Sequence, residues 1–121
     1  MKILDVQNIK IPSVNGKYSV NHNTGRLYLS KKYRAFKDLM ETLIVQFAID
    51  TKIDPPYSLR INVSTAVDID NFLKPLIDSL QQARLIDDDK NILRLIIEKK
   101  PVKRGELGSL QVFLNTLNDE V

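Results

Sequence analysis

The sequence predicts a single α+β (mixed α/β) domain: one mixed β-sheet flanked by two helices, in the order β-α-β-α-β-β. Three observations predict it. Two stretches carry apolar residues at three-and-four spacing, several short runs alternate or are rich in β-branched residues, and the two kinds interleave along the chain. At 121 residues there is room for one core and too little chain for a catalytic domain beside a separate binding domain, so residues 1–121 read as one unit.

Residues 2–11 (KILDVQNIKI) are rich in Ile, Leu and Val and read as the first strand, stopped by a turn at Pro12, Asn15 and Gly16. The segment YSVNHNTGRLYLS is an exposed loop or loose hairpin around Thr24 and Gly25, and Ser30 is placed to cap the first helix. From Lys31 to about Lys52, Tyr33, Phe36, Met40, Leu43, Ile44, Phe47 and Ala48 form one helical stripe, which Pro55 and Pro56 end. Leu59, Ile61, Val63 and Thr65 then alternate with Ser58, Arg60, Asn62 and Ser64 as a half-buried strand does. Phe72, Leu73, Leu76, Ile77, Leu80 and Ala83 give the second helix, with Asp70 or Asn71 as N-cap and Pro75 expected near its first turn. After the turn LIDDDKN, ILRLIIEKK and SLQVFLNTL are two further strands joined by the basic loop PVKRGELG. The strand order is not legible in the sequence.

The hydrophobic share of 43% and charged share of 27% exclude a disordered or fibrous chain. Asp5 and Lys10 interrupt the only window in which a signal peptide could begin. No apolar run approaches the ~18 residues of a membrane span, so the expectation is a cytoplasmic protein without a membrane partner. There is no cysteine, and His22 is the single histidine, which excludes disulfides and zinc sites built from nitrogen and sulfur. Any metal must be held by oxygen.

Charge is unevenly distributed. Residues 68–89 hold six acids (Asp68, Asp70, Asp78, Asp87, Asp88, Asp89) and two bases (Lys74, Arg84), a net of −4. Given the total of +3, the rest of the chain carries +7. A carboxylate cluster inside a basic surround suits a metal-dependent enzyme acting on a phosphate backbone. Asp68 and Asp70 stand two apart at the end of a strand, so an extended chain would put both on one face. The turn after the second helix should bring Asp87, Asp88 and Asp89 back beside that strand end, supplying a third carboxylate. An all-aspartate set matches Mg²⁺, with Mn²⁺ as a substitute. Lys74, four residues past Asp70, falls one helical turn on and can face the same site. These are the parts of phosphodiester hydrolysis: a cation to activate water and polarise the phosphoryl oxygen, and an ammonium to stabilise developing charge or orient the water.

Helix capping is the ordinary explanation of an Asp-x-Asp-Asn string, but one cap does not need six acids. An EF-hand loop starting at Asp68 would need Gly and Glu where Leu73 and Ser79 stand; one starting at Asp87 meets Ile92 at its sixth position. A haloacid-dehalogenase-like phosphatase also places Asp-x-Asp after a strand, but normally in a longer chain with further motifs.

The segment VDIDNFLKPLIDSLQQARLIDDDKNI resembles the core motif of RusA-type Holliday-junction resolvases: D-x-D-N-x-x-K-x-x-x-D-x-L, a short gap, then a D-D pair before an apolar strand. PSVNGKYSVNHNTGRLYLSKKYRAFKD is similar to the family's opening segment, and the final strands also fit, so the likeness covers nearly the whole chain. The resemblance implies a RusA-like fold and catalytic, metal-holding acids at Asp68, Asp70 and Asp89. Asp88 is the alternative to Asp89, because three consecutive aspartates leave the register open by one. It also implies an essential lysine at Lys74, supporting roles for Asn71 and Asp78, a homodimer with one site per subunit, and branched DNA as partner, four-way junctions above all. Genes of this family often travel with phages.

Two basic clusters are candidate phosphate contacts: Lys31, Lys32, Arg34 and Lys37, and Lys99, Lys100, Lys103 and Arg104. Basic charge at a helix start does not suit the helix dipole, which favours a DNA role for the first cluster. His22, Asn23 and Arg26 are further candidates in the loop. Two other readings compete: a module that binds branched DNA without cutting it, and a metal-dependent phosphatase of small molecules.

Overall fold

In the computed structural model, which describes residues 1–11, 13, 18–48 and 52–119, the order is β1 (Lys2–Ile9), β2 (Tyr18–Val20), β3 (Leu27–Leu29), α1 (Lys31–Ala48), β4 (Tyr57–Thr65), α2 (Asp70–Gln82), β5 (Ile92–Pro101) and β6 (Gly108–Thr116). Short 3₁₀ turns lie at Asp89–Asn91 and Leu117–Asp119. The turn expected at Pro12, Asn15 and Gly16, and the last residues before Lys52 of the expected first helix, fall outside the described residues.

The loop of residues 21–26 closes a hairpin, one of the two forms anticipated. β2 and β3 pair antiparallel with Val20 opposite Leu27. The Asn21 side chain accepts from the Asn23 and Thr24 amides at 2.9 and 3.3 Å. Gly25, at φ +70°, donates to the Asn21 carbonyl, a left-handed conformation that glycine adopts without steric cost. Ser30 caps α1 as its position requires: its Oγ accepts from the Tyr33 amide at 3.2 Å. The stripe Tyr33, Phe36, Met40 and Ile44 is buried.

The main sheet runs β1-β6-β4-β5. β6 is antiparallel to both neighbours, and β4 and β5 are parallel. A parallel pair needs a crossover, and α2 is that crossover. Leu59, Ile61 and Val63 of β4 and Leu110, Val112 and Leu114 of β6 are buried with Phe36, Met40 and Ile44 of α1 and Phe72, Leu76 and Leu80 of α2 in one core. Each such side chain contributes about 1.5–3 kcal/mol by leaving water. Among the described residues, no helix is long and apolar enough to cross a membrane.

The start of α2 differs from expectation. Ile69 at the cap position already has helical backbone (φ −56°, ψ −44°), and no side chain caps the helix. Neither Asp70 nor Asn71 is a cap. The first turn is closed by backbone alone, the Asn71 amide donating to the Asp68 carbonyl at 3.0 Å and the Leu73 amide to the Ile69 carbonyl at 2.9 Å. Because the helix begins this early, Pro75 lies inside it rather than in its first turn. A proline there has no N–H to offer the Asn71 carbonyl. Pro75 is buried, and its own carbonyl accepts from Ser79 Oγ at 2.8 Å.

Candidate active site

β4 ends at Thr65, and the chain bends before reaching Asp68. Asp68 and Asp70 are therefore not two residues of an extended strand. One precedes the helix and the other is its first residue, so the one-face argument from strand alternation does not hold. Both are exposed, and no hydrogen bond or ion pair engages either carboxylate among the described residues. Asp70, Lys74 and Asp78 follow at intervals of four on one stripe of α2. The opposite stripe, Phe72, Pro75, Leu76, Ser79 and Leu80, is buried. Lys74 is exposed one turn from Asp70. Asp78 is engaged elsewhere: its Oδ2 accepts from the Tyr33 hydroxyl at 3.1 Å, tying α2 to α1.

A cleft of about 520 Å³ opens at this end of the sheet. Its walls come from the end of β1 (Ile9, Lys10, Ile11), the β4–α2 connection (Thr65 to Asp68, with Asn71) and the β5–β6 loop (Arg104 to Glu106, with Gly108). β1, β4 and β5 all run toward it and β6 starts from it, as the pairing directions require.

The acidic turn is not there. The Asp87 amide donates to the Tyr57 hydroxyl at 3.2 Å, and Ile92 is opposite Tyr57 in the β4–β5 register. Tyr57 begins β4, so Asp87, Asp88 and Asp89 lie at the far end of that strand from Asp68. Nine residues of strand put roughly 26 Å between the two ends. The expectation that the turn returns to the end of β4 is overturned by the crossover: a helix joining parallel strands carries the chain back to where the first strand began. Among the described residues, no three His, Cys, Asp or Glu side chains gather where a metal could be held.

Within the turn the carboxylates have local duties. Asp87 Oδ1 accepts from Asn91 Nδ2 at 3.0 Å and from the Asp88 amide at 2.6 Å. Asp88 Oδ1 accepts from the Lys90 amide at 3.0 Å, capping the 3₁₀ turn. The Asn91 hydrogen bond holds the Asp87 carboxyl below the usual carboxylate range, and the Lys90 amide does the same for Asp88. Asp89 is exposed, and beyond the neighbouring Asp88 carboxyl no side-chain hydrogen bond or ion pair engages it among the described residues. Of the two register alternatives, Asp89 is thus the less engaged.

The profile of the endodeoxyribonuclease RusA family matches residues 10–112. The chain belongs to the RusA endodeoxyribonuclease family. It is 29% identical over 113 residues to the crossover junction endodeoxyribonuclease RusA of Escherichia coli O139:H28, covering 90% of this chain and 92% of that one. At 27% identity and the same coverage it is similar to the proteins of that name from Shigella sonnei and from Enterobacteria phage 82.

In this RusA-family chain the two basic clusters differ in position. Lys103 and Arg104 occupy the loop at the Asp68 end of the sheet, and Lys99 and Lys100 pair in register with Val63 and Ser64 near it. Arg104 lines the cleft. Lys31, Lys32 and Arg34 are exposed and Lys37 is half-buried on the opening turns of α1, joined through Tyr33 to the stripe that carries Lys74. His22, Asn23 and Arg26 are exposed in the hairpin turn and are not among the residues that line the cleft. Sequence reasoning missed Lys10 and Gly108, both on those walls. Only the strand order, with β1 parallel in direction to β4, could have brought Lys10 to the site.

Proposed function

We propose that the protein is a Mg²⁺-dependent, structure-selective endodeoxyribonuclease that resolves four-way DNA junctions by paired phosphodiester hydrolysis in recombination and repair, working where cytoplasmic DNA is handled. The observation that carries this reading is the family match over residues 10–112, which spans Asp68, Asp70 and Lys74; of these, Asp68 lines a cleft that also presents Lys10 and Arg104.

Asp68 and Asp70 offer acceptor-only oxygens, the donor set a hard cation takes, and Mg²⁺ commonly uses one or two carboxylates together with substrate phosphate. When bound, Mg²⁺ supplies Lewis acidity and lowers the pKa of water. Asp68 and Asp70 are the residues that would hold that cation. Lys74 reaches the same side from one turn further along α2, where its ammonium orients the attacking water or stabilises negative charge on the phosphorane. The products would be a 3′-hydroxyl and a 5′-phosphate.

One chain leaves Asp89 out of reach, and a second copy supplies the remedy. β5 is an edge of the sheet, and although its second half carries Glu98, Lys99 and Lys100, its first half exposes large apolar side chains: Leu93 is 65% and Leu95 43% exposed. Two copies joined along β5 in antiparallel register would set the start of one β5 beside the end of the other. Thr65 lies opposite Pro101 at that end, so Asp89 of the second copy would approach Asp68 and Asp70 of the first. A two-fold dimer then carries two equivalent composite sites, matching the approximate two-fold symmetry of a four-way junction.

The test is cleavage of a labelled synthetic four-way junction in Mg²⁺, with a linear duplex of equal length and a gel shift in Ca²⁺. Paired nicks in the junction, a spared duplex, and an Asp70→Asn variant that binds without cutting are the expected results. If native protein binds and does not cut, the chain is a junction-binding module; if it does not bind, the nucleic-acid reading fails.

A further inference from the structure

Two cations in the cleft beside Asp68 have no task in the fold. Lys10 leaves the end of β1 and Arg104 sits in the β5–β6 loop, yet both line the cavity that holds Asp68 and Asn71. Both are exposed, and neither makes a hydrogen bond or ion pair among the described residues. They come from segments more than ninety residues apart in sequence, brought to one place because β1 and β5 end on the same side of the sheet.

The other charged groups of the cleft are accounted for. Glu106 is tied into its own loop: its Oε2 accepts from the Lys103 amide at 3.3 Å and its amide donates to the Lys103 carbonyl at 2.9 Å. Asp68 is the carboxylate that would hold the cation. The floor is apolar, with Ile11 buried and Val67 half-buried. A cavity with an apolar floor, a carboxylate for a cation and two unengaged cations from other strands matches one repeating unit of a nucleic-acid backbone, with its sugar on the floor and its phosphate on the cations.

We propose that this cleft seats one sugar–phosphate unit of the strand to be cut, with Lys10 and Arg104 holding its phosphate and thereby positioning the strand against Asp68. The proposal rests on the endonuclease reading and adds to it a positioning role for two side chains, one of which no motif in the sequence singled out. Arg104 presents a planar fork able to take two phosphate oxygens, whereas Lys10 acts as a point charge.

The experiment measures binding of the four-way junction in Ca²⁺ across a range of salt concentrations, and cleavage in Mg²⁺ under multiple turnover, for native protein, Lys10→Ala, Arg104→Ala and Arg104→Lys. Lys2→Ala, at the opposite end of β1, removes an equal charge and serves as control. Each cleft alanine variant should weaken binding roughly tenfold and lower the salt slope by about one. KM should rise more than kcat falls, and Arg104→Lys should recover part of the loss. Thermal unfolding of each variant separates a lost contact from a lost fold. If the native protein cuts junctions but the cleft variants bind with the slope and affinity of the Lys2→Ala control, the phosphate-holding role is overturned and the endonuclease reading stands. If the native protein does not cut, the endonuclease reading falls, whatever the variants do.

Discussion

The Tyr33 hydroxyl donates to Asp78 Oδ2 at 3.1 Å, and this side-chain contact joins α1 to the stripe of α2 that carries Lys74 and Asp70. A hydrogen bond to an ionised acceptor in a partly buried setting contributes about 1.5–3 kcal/mol. Tyr33→Phe should lower unfolding free energy by about that amount in urea titration. Asp78→Asn should lower it less, because an amide oxygen still accepts. Cleavage by Tyr33→Phe should drop only modestly, since the bond positions α2 and touches no substrate; a loss as large as that of Lys74→Ala would contradict this assignment.

The separation of Asp70 from Asp89 within one chain makes subunit mixing informative. Asp70→Asn and Asp89→Asn should each abolish cleavage when assayed alone. If sites are shared between copies, a mixed dimer contains one site with both defects and one with neither. Mixing the two inactive proteins should then restore nicking of a single strand. No recovery after verified subunit exchange would mean that each site is built from one chain and that Asp89 acts elsewhere.

Gly108 begins β6 at a close approach to β4. A Cβ added there would lie 1.7 Å from the Ser64 carbonyl oxygen and 2.7 Å from its carbon, so backbone must move. Gly108→Ala should destabilise the protein by about 3 kcal/mol or more. Chemical denaturation would show it as a lower midpoint. An unchanged midpoint would mean that the two strands separate here at little cost.

The turn at Asp87–Asn91 should respond to acid in a defined direction. Asp87 and Asp88 both ionise more readily folded than their ordinary value of 3.8 allows. Their contribution is fully present above that value and disappears as pH falls through the lower folded value. The protection of the Lys90 amide, whose N–H binds Asp88 Oδ1, relative to an unstructured peptide at the same pH should therefore fall on acidification below the usual carboxylate range. Asp88→Asn should remove most of that pH dependence of protection; a Lys90 protection factor that ignores pH in the native protein would refute the coupling.

Periodicity made most of the architecture legible. The alternation of Leu59, Ile61 and Val63 and the stripe of Phe36, Met40 and Ile44 reflect burial against a core, which any neighbour of the right kind satisfies. What periodicity does not carry is which neighbour that is. Nothing in ILRLIIEKK distinguishes parallel from antiparallel pairing, so the end of the sheet at which Asp89 would emerge stayed hidden. The cap misassignment at Asp70 has a related cause: Asp and Asn favour N-caps by propensity, and here Ile69 adopts helical backbone first. Spacing and the family resemblance both pointed to Asp68, Asp70 and Lys74 as candidates, and geometry added Lys10 and Gly108 on the walls of the cleft that Asp68 lines.

The pairing of β1 with β6 bears on how the chain reaches this structure. Asp5 meets Gln111 across 106 residues, while β4, α2 and β5 form a local crossover and β6 follows directly on β5. Loop closure over most of the chain is entropically the most demanding step. β1 should therefore join a nearly complete sheet late, and with it Lys10, so that the cleft acquires its last wall near the end of folding. A Leu4→Ala variant, whose side chain is buried on β1, should speed unfolding and leave the refolding rate almost unchanged in stopped-flow measurements.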